Sequence, residues 1–293
     1  MTSFELGLVL VSAFLHASWN TATKGSENPT AFLLGIEVLT AVVSLPLLFF
    51  FEFSEIPTQV WWLLAGTGVT HSLYAFWLTR AYVHGELTLV YPIARSTPAF
   101  VPLLAIPLLG ESVSPVGAAG IALVVCGIWA VQTEGRLRIG ELTSLGAIFA
   151  YLTLATTVVY SLIDKQSMHL LGEAAWSSPV PRAIVYMVLL YYFYIPLFAA
   201  LSLPKVGWRA VQTVLRRETL SVIGSALCGV ASYSLILHVM QTAPVSYVVA
   251  VRQSSVLFAV LLGVLFLRER PGRIRILGAA ATVAGVALIS LYA

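Results

Sequence analysis

Polar positions along this chain break a nearly continuous apolar background into ten runs, near 3–23, 30–52, 59–83, 87–109, 114–133, 142–163, 179–201, 218–241, 244–267 and 272–292. Each approaches the roughly 20 mostly apolar residues that a bilayer helix needs, and most connections between them are short. In two of the runs a charge falls where it is most costly. The stretch 81–111, AYVHGELTLVYPIARSTPAFVPLLAIPLLGE, carries Arg95 near the middle of its apolar segment, together with Pro92, Pro98, Pro102 and Pro107. The stretch 238–269, HVMQTAPVSYVVAVRQSSVLFAVLLGVLFLRE, carries Arg252 in the corresponding place. A charge at bilayer depth is expensive and usually functional. Proline removes a backbone hydrogen bond, so both runs are expected to be broken or decorated helices at a site.

Composition agrees with the pattern. Hydrophobic residues make up 59% of the 293 and charged residues 10%, more apolar surface than a soluble domain of this size buries. The net charge of +3 comes with no basic stripe, so nucleic acid is not expected as a partner. Cys126 and Cys228 have no metal-ligand spacing and are expected as small core residues, and neither metal nor cofactor is expected. The first run is not expected to be a cleaved signal peptide, because its start holds Glu5 and no Lys or Arg.

The second half repeats the first. Arg95, Glu111, Gly120 and Gly127 correspond to Arg252, Glu269, Gly278 and Gly285, with steps of nine and seven residues from Glu to Gly to Gly in both copies. His16, Trp19, Asn20, Thr23 and Lys24 align without a gap to Thr157, Tyr160, Ser161, Asp164 and Lys165. The domains expected are therefore two five-helix repeats, 1–135 and 140–293. Five crossings is an odd number, so the second copy must be inverted relative to the first.

The residues HASWNTATKG, LGE, GxxGIALVVCGI and LRERPGRIRILGAAATVAGVALI resemble the drug/metabolite transporter superfamily, specifically its ten-helix members with two EamA domains, over essentially the whole chain. The resemblance implies an all-α membrane protein of ten transmembrane helices, built as two inverted five-helix repeats around a central cavity. It further implies a secondary transporter without cofactor, and not an enzyme. No HExxH or GxSxG spacing argues otherwise.

Candidate residues follow from burial logic. His16, Trp19, Asn20 and Thr23 share one helical face, as do Thr157, Tyr160, Ser161 and Asp164, and a polar stripe in lipid should face a cavity or another helix. Interhelical hydrogen bonding remains the alternative, favoured for Thr23 and Ser161. Thr67, His71 and Tyr74 form a third stripe, and His71 is able to exchange a proton or simply to bond a carbonyl. Arg95 and Arg252, with Thr88, Tyr91 and Ser255 on their faces, offer planar forks to a carboxylate or phosphate. The expected substrate-binding set is Arg95, Arg252, Tyr91, Trp19, Asn20, His16, His71, Tyr74 and Tyr160. Glu37, the carboxylate deep in the second run, is expected to carry a coupling proton or to pair with an arginine. Glu111 and Glu269 are expected to cap the following helix or pair at the surface.

The function expected is a secondary active exporter of a small polar metabolite, such as an amino acid or organic anion, working by alternating access. The alternative is a flippase for a lipid-linked precursor. Its partners are a small-molecule substrate, membrane lipids and protons as coupling ion, in a monomer or homodimer spanning a bacterial inner membrane. Orientation is contested. Eleven basic residues follow odd-numbered runs and two, Lys165 and Arg182, follow even-numbered ones, which by the positive-inside rule puts both termini outside. The family resemblance implies that they are cytoplasmic.

Overall fold

The computed structural model describes residues 1–134, 139–258, 260–261 and 272–292, and the regular elements among them are all helical. Glu269 and the basic residues Arg136, Arg138, Arg268 and Arg270 lie outside the described residues, as does the side chain of Lys24. The longer helices are α1 (Ser3–Gly25), α2 (Pro29–Ser44), α3 (Thr58–His84), α4 (Leu87–Ala94), α5 (Thr97–Leu109) and α6 (Pro115–Thr133). They continue with α7 (Leu145–Glu173), α8 (Arg182–Val206), α9 (Trp208–Arg217), α10 (Thr219–Met240), α11 (Val245–Arg252) and α12 (Arg273–Tyr292).

Among the described residues, seven segments are long and apolar enough to cross a membrane: Pro29–Phe49, Thr88–Leu109, Pro115–Thr133, Leu145–Glu173, Arg182–Val206, Thr219–Met240 and Arg273–Leu291. Helices α1 and α3 have 23 and 27 residues, enough length, but polar stripes dilute their apolar character. Large side chains such as Phe49, Trp62, Leu108 and Leu220 are exposed on the outside of the bundle. An apolar exterior is what contact with lipid requires.

Three departures from ten uninterrupted helices have local causes. The fourth run divides into α4 and α5 because Pro98 cannot continue the hydrogen-bond ladder, and Arg95 and Ser96 take near-zero ψ angles of 1° and 7° between them. In the ninth run α11 ends at Arg252, and Gln253 and Ser254 turn before helical residues resume at Ser255. The third departure is α9, a short amphipathic helix in what reads as a charged loop. Val211 and Val214 bury against the α2 cluster of Phe32 and Leu34, while Arg209, Arg216 and Arg217 stay exposed.

Caps fix where helices begin. Thr2 and Glu5 form a reciprocal capping box on α1, Asn28 and Pro29 start α2, and Ser114 and Ser144 accept from Gly117 and Ala147 to start α6 and α7. Glu111 does not cap the helix that follows it. Its carboxylate accepts from the Val245 and Ser246 amides at 2.5 and 3.2 Å and from the Ser246 hydroxyl at 2.7 Å, so it caps α11 from the other half of the chain. Replacing Glu111 with Ala is expected to cost about 1–3 kcal/mol, since it orphans these donors. A lower melting temperature with an unchanged oligomeric state is the expected reading.

The two basic residues that break the charge bias are both consumed as anchors. Lys165 Nζ donates to the Met240 and Ala243 carbonyls at 2.8 and 2.9 Å. Arg182 donates to the Ala174 carbonyl at 2.9 Å and lies over Trp176. Near Arg182, hydrogen bonds from Ser177 hold the Glu55 carboxyl below its usual range. That tie between two loops is therefore present at neutral pH and is lost as acid protonates Glu55.

Helices α6 and α12 pack on glycine. A Cβ on Gly120 would lie 2.8 Å from the Gly285 carbonyl, and one on Gly127 would lie 2.5 Å from the Gly278 carbonyl. Seen from the other helix, a Cβ on Gly278 would lie 2.7 Å from the Gly127 carbonyl and one on Gly285 would lie 2.6 Å from that of Gly120. Backbone thus meets backbone at both pairs, as small-residue packing in membranes allows. The expectation that both cysteines are core residues is corrected here. Cys126 is exposed on the outer face of α6, and Cys228 is half-buried.

Candidate substrate-binding site

The break between α4 and α5 and the turn after α11 face each other across a cleft. Tyr74 and Leu78 of α3, Thr157, Tyr160 and Ser161 of α7, and Arg95, Arg252 and Gln253 at the two breaks are among its lining residues. The break in the first half is stapled rather than loose. Ser96 Oγ donates to the Pro92 carbonyl at 2.8 Å and accepts from Trp129 Nε1 at 2.8 Å. Proline and the neighbouring turn create a break in the ladder, and these bonds satisfy the groups it frees.

His16 brings the two arginines together. Its Nε2 is 3.2 Å from Arg95 Nη2, and its Nδ1 is 3.5 Å from Arg252 Nη2. Guanidinium only donates, and a neutral imidazole has one lone pair to offer. The ring therefore satisfies one arginine, here Arg95 at the shorter distance, and turns its own N–H towards the other. Among the described residues no carboxylate lies within 4.0 Å of either guanidinium. Among the described residues the buried Nε of Arg252 and the Oε1 of Gln253 are also without hydrogen-bond partners. Donors converge on this cleft, and among the described residues the one lone pair of His16 is the acceptor that meets them. Aromatic faces supply partial compensation: Arg95 lies 5.1 Å over the Tyr91 ring and Arg252 lies 5.1 Å over Tyr233.

The remaining expected residues separate into neighbours and bystanders. Trp19 meets the His16 ring edge-on at 5.2 Å. Tyr160 stacks on His71 at 3.9 Å and meets Tyr74 edge-on at 5.7 Å. Asn20 turns its amide back to the His16 carbonyl at 2.7 Å, a bond within its own helix. Thr23 and Ser161 likewise bond the Trp19 and Thr157 carbonyls, one turn back on their own helices. Thr88 is exposed and Ser255 is buried, and neither lines the cleft. Glu37 sits apart on α2, near Tyr191 and Tyr194 of α8. Among the described residues it makes no salt bridge, and its Oε2 has no hydrogen-bond partner.

Sequence reasoning missed Asp164 as a site residue. This carboxylate of α7 is fully buried and accepts from Thr67 Oγ1 at 2.6 Å, from Tyr186 OH at 2.7 Å and from Tyr233 OH. His71 Nε2 lies 4.0 Å from its other oxygen. The available signal was an acid in the interior of an apolar run. Its donors come from three other helices, so no local spacing reveals them.

Helices of bilayer length with an apolar exterior, packed around a cleft that holds two half-buried arginines, define an integral membrane protein with a polar interior site. The profile of the EamA-like transporter family matches residues 3–133 and 196–291, and the chain belongs to that family. The family is one of transporters, not of enzymes. A crystal structure of a protein 17% identical in sequence superposes with a TM-score of 0.72, over 99% of this chain and 98% of that one; it shares the fold. No curated protein matches the chain.

Proposed function

We propose that the protein is a secondary active transporter of a small metabolite bearing a carboxylate or phosphate, with amino acids the leading class. It works by alternating access between two inverted repeats, 1–135 and 140–293, in a bacterial inner membrane. The repeat reading is supported by packing that survives an exchange of halves. Swapping α1 with α7, α2 with α8, α3 with α10, α4 with α11 and α6 with α12 turns the α3–α7 contact into α10–α1. The same exchange turns α3–α8 into α10–α2 and α4–α7 into α11–α1, and all of these contacts occur. Gly120 against Gly285 becomes Gly278 against Gly127, which also occurs.

The observation that carries the substrate class is the pair of guanidiniums sharing one imidazole. An anion placed between them gives both forks an acceptor and offsets two like charges held near one another. Gln253 Oε1, an unmet acceptor beside them, suits the ammonium group of a zwitterion. The test is a thermal-stabilisation series on purified protein, because a ligand that binds the native state raises the melting temperature. Amino acids, simple carboxylates and organophosphates are expected to stabilise it. A polyisoprenyl phosphate tests the flippase reading. Stabilisation by quaternary amines alone would sink the anion site.

Protons are the proposed coupling ion, and Glu37 is one carboxylate placed to carry them. If it does, Glu37→Gln stops pH-driven net transport in proteoliposomes but permits exchange across a loaded membrane. Equal loss of both assigns Glu37 a structural role.

A further inference from the structure

A second group in the core fits a proton better than Glu37 does. His71 has both ring nitrogens facing acceptors. Its Nδ1 is 2.9 Å from the Thr67 carbonyl, which can only accept, and 3.1 Å from Thr67 Oγ1, whose own hydrogen is committed to Asp164 at 2.6 Å. Its Nε2 faces the Asp164 carboxylate at 4.0 Å. A neutral imidazole gives its one N–H to the Thr67 carbonyl and turns the Nε2 lone pair towards a carboxylate, whereas an imidazolium also turns a positive N–H towards it, an ion pair across 4.0 Å rather than a direct hydrogen bond. The ring thus sits in a socket shaped for its doubly protonated form. Among the described residues, the groups around it from the packed helices are hydroxyls and one cation: Tyr160 from α7, Tyr186 and Tyr194 from α8, Tyr233 from α10, and Arg252 from α11 beyond the Tyr233 ring. Lys165, on the same helix as Asp164, is turned away to the Met240 and Ala243 carbonyls.

We propose that Asp164 and His71 together form the binding site for the coupling proton, wired to the substrate cleft through Tyr160 and Tyr233. The proton adds to the Nε2 lone pair, taking the pair from a charge of −1 to zero, and leaves from the same atom. His71 stacks directly on Tyr160 of the cleft wall, and Asp164 is held by Tyr233, on whose face Arg252 rests. The sign of the coupling follows. Without the proton, Asp164 offsets one of the two cleft arginines; with it, His71 cancels that offset and the cleft becomes more positive. An anionic substrate therefore binds better to the protonated carrier, and by reciprocity the anion strengthens proton binding. Proton and anion travel together, as in a symporter, which runs against the antiport that an exporter of anions would use. This inference rests on the transporter reading above.

The test uses full-length protein in lipid nanodiscs with histidines labelled with nitrogen-15. The chain has five histidines, so the resonance pair lost in His71→Gln identifies His71. Over about pH 5 to 8, the range in which an imidazole exchanges its proton, His71 is expected to pass between a neutral and a doubly protonated ring in the wild type. In Asp164→Asn the doubly protonated signal is expected to disappear. A wild-type His71 that stays neutral throughout overturns the proposal, whether or not the variant folds. So does a titration unchanged in a folded Asp164→Asn protein. The linkage is read separately with benzoate, whose charge is constant over this range. Its affinity is expected to rise about tenfold between pH 8 and pH 6 in the wild type, within the usual size of site-to-site coupling, and to be flat in His71→Gln. Tight benzoate binding with no pH dependence overturns the coupling. Failure of benzoate and every other anion to bind at any pH refutes the anion site instead, while the histidine spectra still decide the proton site.

Discussion

Arg95→Gln and Arg252→Gln are each expected to weaken anion binding by about 30-fold to 5,000-fold, the range seen when one partner of a desolvated charge pair is removed. The unliganded proteins are expected to melt at the same temperature as the wild type or higher. Each change deletes one of two like charges that share His16, and among the described residues neither has a salt-bridge partner to lose. A purely structural arginine predicts the opposite: lower stability and unchanged affinity. Arg→Lys at either position keeps the charge but loses the planar fork, so it is expected to retain part of the affinity if charge dominates and little of it if bidentate geometry dominates. Titration calorimetry on purified protein, beside a melting curve without ligand, separates these outcomes. Wild-type affinity in both Gln variants would end the anion-clamp reading.

The second large effect lies at the α6–α12 seam. Gly127→Ala places a methyl against the Thr282 hydroxyl and 2.5 and 2.8 Å from the Gly278 carbonyl and the Thr282 amide; the hydroxyl can turn aside but the two backbone atoms cannot. The helices must separate, at an expected cost of about 1–3 kcal/mol for the first methyl. Gly127→Val is expected to prevent accumulation of folded protein. Gly224 is the control, because nothing lies within 4 Å of a Cβ built there; Gly224→Ala is expected to be neutral or slightly stabilising, as Ala is the better helix former. Equal melting temperatures for Gly127→Ala and Gly224→Ala would show that the seam yields more easily than its backbone contacts imply.

What was legible in the sequence and what was not divides along physical lines. A charge in an apolar run stands out in one dimension, so Arg95 and Arg252 were visible, and so were the glycines, through their repeated spacing. Tyr74, Tyr160 and His16 followed from helical faces. Distance hid the rest. Glu111 was expected to cap the helix after it and instead reaches an amide 134 residues away. Asp164 was visible as the partner of Thr23 in the repeat alignment and as one residue of a polar face, but its importance comes from Thr67, Tyr186 and Tyr233 on other helices. Helix α9 was hidden by its arginines, which dilute a signal carried by Val211, Val214 and Leu215. The turn at Gln253 has no proline to announce it, unlike its counterpart at Arg95.

The glycine seam has a mechanical consequence. Where two helices touch through side chains, each rotamer is a small spring, and the contact can slide by a fraction of an ångström before anything breaks. Between Gly120 and Gly285, and again between Gly127 and Gly278, peptide groups with no rotamers to adjust lie against each other, flanked by the short or branched side chains of Val124, Thr282 and Ile289. Such a joint is stiff along its length. In a carrier that opens first to one side and then to the other, α6 and α12 are thus suited to be the axle, with the strain of rocking carried by the broken helices at Arg95 and Arg252. Spin labels across the seam should then report one narrow distance in every state, while labels flanking the two breaks report more than one.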